Sequence, residues 1–445
     1  MDWRVAGVVL AGLGLWGCHN ATQQPQWCVD PRGDGVTEGP VTWHQDIKPL
    51  FFSSCVRCHT PGNIGPFPLE TFQDAHDVLE GIRTMVGDRK MPPWKANPCC
   101  GRYQHDTSLT DADVARVRAW VSQGGPEGTP TPDPPRVVPR GLARVDLRLA
   151  MAQAYQPTPE QGTADDTRCF LLDWPETETR YVTALDVKPG NAAVVHHALV
   201  LVAAPKDINS LEKQDEDGPG YGFSCPGGLV SPYSGYLGGW APGFEATVLP
   251  ADLGHEVVPG SKILLTVHYS LPTAGMLTDD QTSLEVTFQS QRTRKAESLA
   301  VYDTGWALGT MDIPANQKDV TFSFRYAPSH YTGRRYELFN ANLHMHERGA
   351  KARLMVLRQD GTTDCLLQID DYDHHWQGQY NFDVPKVLNR GDELFVECVF
   401  DNTAARQRVV FGQREEPRDL NWGEQEEMCV GFVTAVALPF WSADE

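Results

Sequence analysis

The spacing of apolar positions changes character near residue 130 of this 445-residue chain. Before that point, 45–58 and 69–86 repeat apolar residues at helical intervals. The stretch 110–122 opens on Thr110, a cap-type residue, and then places Val114, Val117, Trp120 and Val121 on one face. A small helical unit is predicted over 41–128. The following Thr-Pro-Thr-Pro-Asp-Pro-Pro, 129–135, predicts an extended, stiff spacer, assigned to 129–140. Beyond it, alternation replaces helical spacing in 194–202, 262–271, 283–289, 319–326, 336–346, 350–358, 393–400 and 429–438. About 300 residues of such strands predict two β-sandwiches rather than one, divided as 141–290 and 291–445. The fold class is therefore mainly β, with a small helical domain in front. No tandem repeat and no glycine-rich phosphate loop interrupts this pattern.

Composition supports it: 33 prolines and 40 glycines suit many turns and short strands, and 41% hydrophobic residues suit a globular chain. A formal charge of −20 excludes nucleic acid as a partner, because neutralising phosphates needs clustered Lys and Arg. Arg4 precedes an apolar run, 5–17, that is shorter than the roughly 20 residues a membrane-spanning helix requires. The segment 1–18 is predicted to be a signal. It closes on Leu15, Trp16, Gly17 and Cys18, which resembles the lipobox of bacterial lipoproteins, although Trp16 departs from that pattern. The alternative is an ordinary secretory signal cut further along. Both predict export, the first with a lipid anchor on the periplasmic or outer-membrane side of the envelope, and both leave 19–40 as a polar tether.

Cys55-Val56-Arg57-Cys58-His59 is C-x-x-C-H, the attachment signature of haem c, in which two thiols form thioethers and the adjacent histidine faces the iron. A redox dithiol or half a zinc site would use the same cysteines, but neither calls for the immediate histidine. Met91, in Lys90-Met91-Pro92-Pro93-Trp94, is the first candidate for the second axial ligand, since prolines hold a ligand loop open. Met85, His76 and His105 are the alternatives.

Three histidine clusters lie among the predicted strands. His196 and His197 are adjacent, so in a regular strand their rings would point to opposite faces, and sharing one metal would require a bulge. His268 could supply a third imidazole. His344 and His346, two residues apart, share a sheet face without strain, and Met428 could add a thioether, which selects for soft Cu(I). Taken singly, each of these residues is an ordinary core or surface side chain. Together, three imidazoles in one set and two imidazoles with a thioether in the other suggest two unlike coppers.

From 167 to 438, about 60% of the chain, the sequence resembles the copper type II ascorbate-dependent monooxygenases. The resemblance rests on Val187-Lys188-Pro189 leading into Val195-His196-His197, on Val267-His268-Tyr269, on Leu343-His344-Met345-His346, on Asp370-Asp371-Tyr372-Asp373, and on Glu426-Glu427-Met428-Cys429-Val430. It implies two jelly-roll-like sandwiches with one copper each. His196, His197 and His268 would hold the electron-transfer ion, while His344, His346 and Met428 would hold the ion that meets O2. It also implies the disulfides Cys169–Cys225 and Cys398–Cys429. Where peptide-amidating members carry an arginine, an asparagine and a tyrosine to hold a peptide, this chain has Asn342, Val430 and Phe432, so a buried substrate carboxylate would lack its cation. His374 and His375 are taken as surface residues.

The implied function is hydroxylation of a C–H bond in a small organic substrate with O2. The two electrons come from an ascorbate-like reductant or a redox protein, directly or through the fused haem. A non-catalytic copper-binding relay is the rival. The spacer cannot position the helical unit by itself, so something must dock it if haem feeds copper. Of the remaining cysteines Cys28, Cys99, Cys100 and Cys365, a bridge from Cys99 or Cys100 to Cys365 would do so, with Cys28 taking the other member of the vicinal pair. Free thiols or a strained Cys99–Cys100 ring are the alternatives.

Overall fold

The computed structural model describes residues 39–137, 140–159, 165–225, 235–271, 278–291, 294–407, 409–410, 413–423 and 426–439. The expected signal segment with Cys18, most of the tether and Cys28 lie outside them. Among the described residues no helix is long and apolar enough to cross a membrane.

The helical unit begins with a π turn, Trp43–Ile47, that runs into Lys48–Ser54, and continues with Phe72–His76, Leu79–Gly87 and Asp111–Ser122. Thr71 and Thr110 start two of these helices with reciprocal caps. Each threonine side chain accepts the N–H of Asp74 or Asp113, whose carboxylate takes the threonine N–H in return. Trp43, Phe51, Val117 and Trp120 give the unit its own core, the Trp43 ring lying 5.3 Å from Phe51 and 5.9 Å from Trp120. The two long helices expected from spacing are each interrupted. The first stops at Ser54, and the chain then turns tightly, with the Cys58 and His59 N–H groups both donating to the Cys55 carbonyl.

The proline-rich spacer is held against this unit rather than left free. Gln45 Nε2 donates to the Thr129 carbonyl (2.6 Å), and Lys48 Nζ donates to the Thr131 carbonyl (2.6 Å) and pairs with Asp133 (3.0 Å).

The β region is built on one nine-stranded sheet that serves both halves. A five-stranded sheet, including Asp165–Asp173, Lys262–Ser270 and Val195–Ala203, covers its first half, and Phe170, Val195, Val182 and Leu284 meet in the core between them. A four-stranded sheet of Lys318–Tyr326, Glu393–Asp401, Gly349–Leu357 and Thr363–Ile369 covers the second half, around Leu338, Leu354, Val396 and Val433. The expected pair of sandwiches is present, but the two share a layer. Leu253–Val257 runs parallel to Arg294–Val301, with Leu253, Gly254 and His255 opposite Arg294, Lys295 and Ala296. Leu249, Leu253, Ala296, Phe339 and Val436 pack at this seam.

Disulfides reinforce this arrangement. Cys169–Cys225 and Cys398–Cys429 form as the resemblance implied. Of the two alternatives for Cys365, Cys100 is the partner, across 265 residues; Cys99 is itself disulfide-bonded. The segment around Cys100 docks on the second sandwich by more than that bond. Ala96 and Tyr103 make β-bridges to Ile369 and Phe382, Tyr103 donates its hydroxyl to the Leu366 carbonyl (2.9 Å), and Lys95 pairs with Asp371 (3.1 Å).

Candidate functional site

Val195–Ala203 pairs with Lys262–Ser270, and the register slips between Val195 and His197, so His196 is the extra residue of a bulge. This is the distortion that adjacent histidines need to face one point. His197 lies opposite His268 in the ladder, and the Nδ1 atoms of His196 and His268 each lie 3.3 Å from His197 Nδ1. His268 Nε2–H donates to Asp165 (3.2 Å), which turns its Nδ1 toward His197. All three rings are buried. Burial, reinforced by His268 and His375, holds His196 down to about 3, and His197 is also well below the usual imidazole range. Neutral imidazoles with convergent lone pairs are what a cation requires, and one nitrogen from each ring lies within 4.8 Å of the others.

The second cluster forms where Tyr336–His344 ends. His344 and His346 bring their Nε2 atoms to 3.2 Å. Both rings are held from behind: His344 Nδ1–H donates to Gln377 Oε1 (2.5 Å) and His346 Nδ1–H donates to the Glu426 carbonyl (3.2 Å), so the lone pairs sit on Nε2. Burial, with His344 beside it, lowers His346 to about 3. The Glu427 carboxylate accepts the N–H of His346 (2.9 Å) and of Arg348 (2.6 Å), and burial pushes that carboxyl up to about 8. His344 pairs with Val430 in the sheet, two residues after the buried Met428, which adjoins the Cys398–Cys429 bond.

His374 and His375, taken as surface residues from sequence, instead pack on the first cluster. The His375 ring lies 5.5 Å from His196 and the His374 ring 6.4 Å from His268. Each has a carboxylate partner, Asp373 at 3.0 Å from His375 and Glu347 at 3.3 Å from His374, so their polar demand is met inside the fold. Trp376 follows, 5.2 Å from His196. The word Asp-His-His-Trp-Gln is dense in donors for a turn between strands, and that density is the signal the sequence reading passed over.

Cys55, Cys58 and His59 line a cavity of about 480 Å³, within the range of cofactor pockets. Its wall is completed by Phe244 and His196 from the first sandwich and Trp376 from the second. Met85, Met91 and His105 also line it, whereas His76 is not among the lining residues. Neither cysteine is in a disulfide. Burial, with Cys58 alongside, pushes the Cys55 thiol up to about 12, the opposite of an activated dithiol. His59 Nδ1–H donates to the Phe67 carbonyl (3.0 Å), freeing Nε2. Close backbone approach is needed twice here. A Cβ on Gly65 would come within 2.9 Å of His59 Nδ1, and Gly243, at φ +83°, would place one 3.1 Å from Cys58 Sγ. The chamber is closed by Arg57, whose Nη1 donates to the Gly243 carbonyl (2.8 Å), and by Trp94 stacked on Phe244.

Comparison with known proteins agrees with the β-region geometry. Residues 299–436 match the copper type II ascorbate-dependent monooxygenase, C-terminal domain. Human dopamine beta-hydroxylase is 24% identical over 285 residues, 60% of this chain and 42% of that protein. DBH-like monooxygenase protein 1 from mouse is 23% identical over 74% of this chain and 55% of its own length, and the chicken protein is 20% identical over the same shares. The chain thus spans about half the length of the relatives it matches. Among solved structures, the VP2 subviral particle of infectious bursal disease virus aligns with 68% of this chain and 75% of its own at 10% identity and a TM-score of 0.17, too loose a superposition to bear on the fold. The family implies copper, and the donor sets fit it: buried imidazoles held by Asp165, Gln377 and the Glu426 carbonyl. By these matches the chain is similar to the copper type II ascorbate-dependent monooxygenases, its residues 299–436 matching their C-terminal domain.

Proposed function

We propose that the protein is an exported, lipid-anchored dicopper monooxygenase that hydroxylates a C–H bond of a small organic substrate, with electrons arriving through a covalently attached haem c. The observation that carries the reading is the pair of buried imidazole clusters, one on each sandwich, both with a ring oriented from behind by a hydrogen-bond partner. His196, His197 and His268 would hold one copper; His344, His346 and Met428 would hold the other. Bound there, copper supplies the one-electron steps by which O2 is reduced while a substrate hydrogen is removed. The chain's own residues do the positioning. Asp165 and Gln377 set the tautomers of His268 and His344, and Glu427 clamps the turn that presents His346.

Cys55 and Cys58 would carry the haem, with His59 and Met91 as the side chains that would hold its iron. The supports are the lined chamber, the two unpaired thiols and the hydrogen bond that aims His59. Asn342, standing where peptide-amidating relatives have an arginine, is buried and donates to the Gly378 carbonyl (2.9 Å), so it offers no charge to a peptide carboxylate. Ascorbate-like enediols and small redox proteins are the reductant classes that suit such a haem.

The test is mass spectrometry of products formed by the copper-loaded, reduced protein under oxygen-18. A labelled hydroxyl on a small organic compound is expected. Copper loading with no O2 consumption under any reductant would instead support a non-catalytic relay.

A further inference from the structure

Two neighbouring residues of one loop touch all three proposed redox centres. Trp376 lines the chamber that Cys55, Cys58 and His59 also line, and its ring lies 5.2 Å from His196. His196 lines the same chamber, so one imidazole faces both the chamber and the first histidine cluster. The next residue, Gln377, hydrogen-bonds His344 Nδ1 at 2.5 Å in the second cluster. Gln377 Nε2 also donates to the His374 carbonyl (2.9 Å), and Asn342 donates to the Gly378 carbonyl (2.9 Å), so the loop is pinned at both ends. Trp376 and Gln377, joined by one peptide bond, therefore connect the chamber and the first cluster, through a ring contact, to the second cluster, through a hydrogen bond.

We propose that Trp376 and Gln377 are the electron relay of the molecule, coupling the haem to the His196 cluster and that cluster to His344. The proposal rests on the reading of the chamber as a haem site and the clusters as copper sites. In the first step one electron leaves the ferrous haem, which becomes ferric, and one cupric ion at the His196 cluster becomes cuprous. In the second, that electron passes along Trp376–Gln377 to a cupric ion at the His344 cluster, and the first ion returns to the cupric state. An external one-electron donor of the enediol or redox-protein class then restores the ferrous haem. Docking of the haem-bearing unit by Cys100–Cys365 and by the Ala96 and Tyr103 bridges makes the first contact a fixed one rather than a collision.

The experiment follows single-electron transfer in the anaerobic holoprotein, with both coppers cupric and the haem ferric. A flash-activated photoreductant delivers one electron to the haem; haem absorbance reports its reoxidation, and freeze-quench paramagnetic resonance reports which copper signal disappears. In the unaltered protein, haem reoxidation should coincide with loss of the signal of the three-histidine site, followed by migration to the second. Trp376→Leu should remove the fast phase of haem reoxidation, Trp376→Phe should retain it, and Gln377→Leu should leave the haem step intact while delaying migration between coppers. Each variant is compared at full haem and copper content, which separates a relay defect from misfolding. Haem reoxidation at the unaltered rate in metal-replete Trp376→Leu, together with unaltered migration in Gln377→Leu, overturns the relay. Absence of copper-dependent haem reoxidation in the unaltered protein would instead overturn the underlying reading of haem feeding copper.

Discussion

Met428 separates the two readings of the chain at the level of a single side chain. A thioether at the second cluster is needed to meet O2 on a soft cuprous ion, whereas a core position needs only volume. Met428→Ile keeps the volume and removes the sulfur. It is expected to abolish O2 uptake in the reduced holoprotein while leaving the haem absorbance unchanged; full uptake in that variant would return Met428 to the core. The histidine pair shows what a residue-level argument can reach from sequence. Two adjacent rings on one metal demand a bulge, and the slip between Val195 and His197 provides it. What such arguments miss is a side chain whose partner lies far along the chain. His374 and His375 look solvated because their neighbours in sequence are polar, yet Asp373 and Glu347 satisfy them against the first cluster. The choice among Met85, Met91 and His105 was open for the same reason, as all three reach the same chamber from different turns.

Among the elements, the helices were legible where a local device defines them. Thr110 and Asp113 form a reciprocal cap on Asp111–Ser122, and Thr110→Ala is expected to cost about 1 kcal/mol in urea unfolding. Strands were legible by alternation, as in Lys318–Tyr326 and Glu393–Asp401, or by continuous apolar runs, as in Lys262–Ser270. Asp165–Asp173 and Arg180–Lys188 were not, because polar residues occupy inward positions: Arg168 is buried and donates to the Tyr221 carbonyl (3.2 Å). His255 is a related case at the seam between the halves. It is buried, its Nε2 has no hydrogen-bond partner among the described residues, and burial holds it near 4 against an ordinary 6.5. Between those values the unfolded chain takes up a proton that the folded chain refuses. Stability present above pH 6.5 is therefore lost as pH falls toward 4, by up to about 3 kcal/mol. Unfolding midpoints of the protein and of His255→Leu measured across that window should converge in slope only above it; parallel acid losses in both would place the titration elsewhere.

For the whole molecule, metal analysis is expected to return two coppers and one haem per chain, the haem resisting acid acetone because thioethers hold it. Zinc alone, or extractable haem, would contradict this. Replacing both Cys100 and Cys365 by serine should lower stability by about 2–5 kcal/mol, read from the haem absorbance during denaturation. The Tyr103 and Ala96 bridges should still seat the unit below that transition. A need for docking was evident from sequence, since a short proline-rich spacer confines nothing; the choice of Cys100 over Cys99 was not, because vicinal cysteines differ only in the direction their turn gives them.

The ladder of Leu253, Gly254 and His255 against Arg294, Lys295 and Ala296 makes the two halves one elastic plate rather than two bodies on a hinge. Bending a twisted sheet across its strands is soft, but shearing two strands past each other breaks every bond of the seam at once. Sliding of the halves along the seam is therefore stiff, which keeps the two histidine clusters in fixed register along the strand direction. Under the proposed function, a substrate bound between the clusters would meet them in that fixed register, so the scaffold would select molecular size before any chemistry begins.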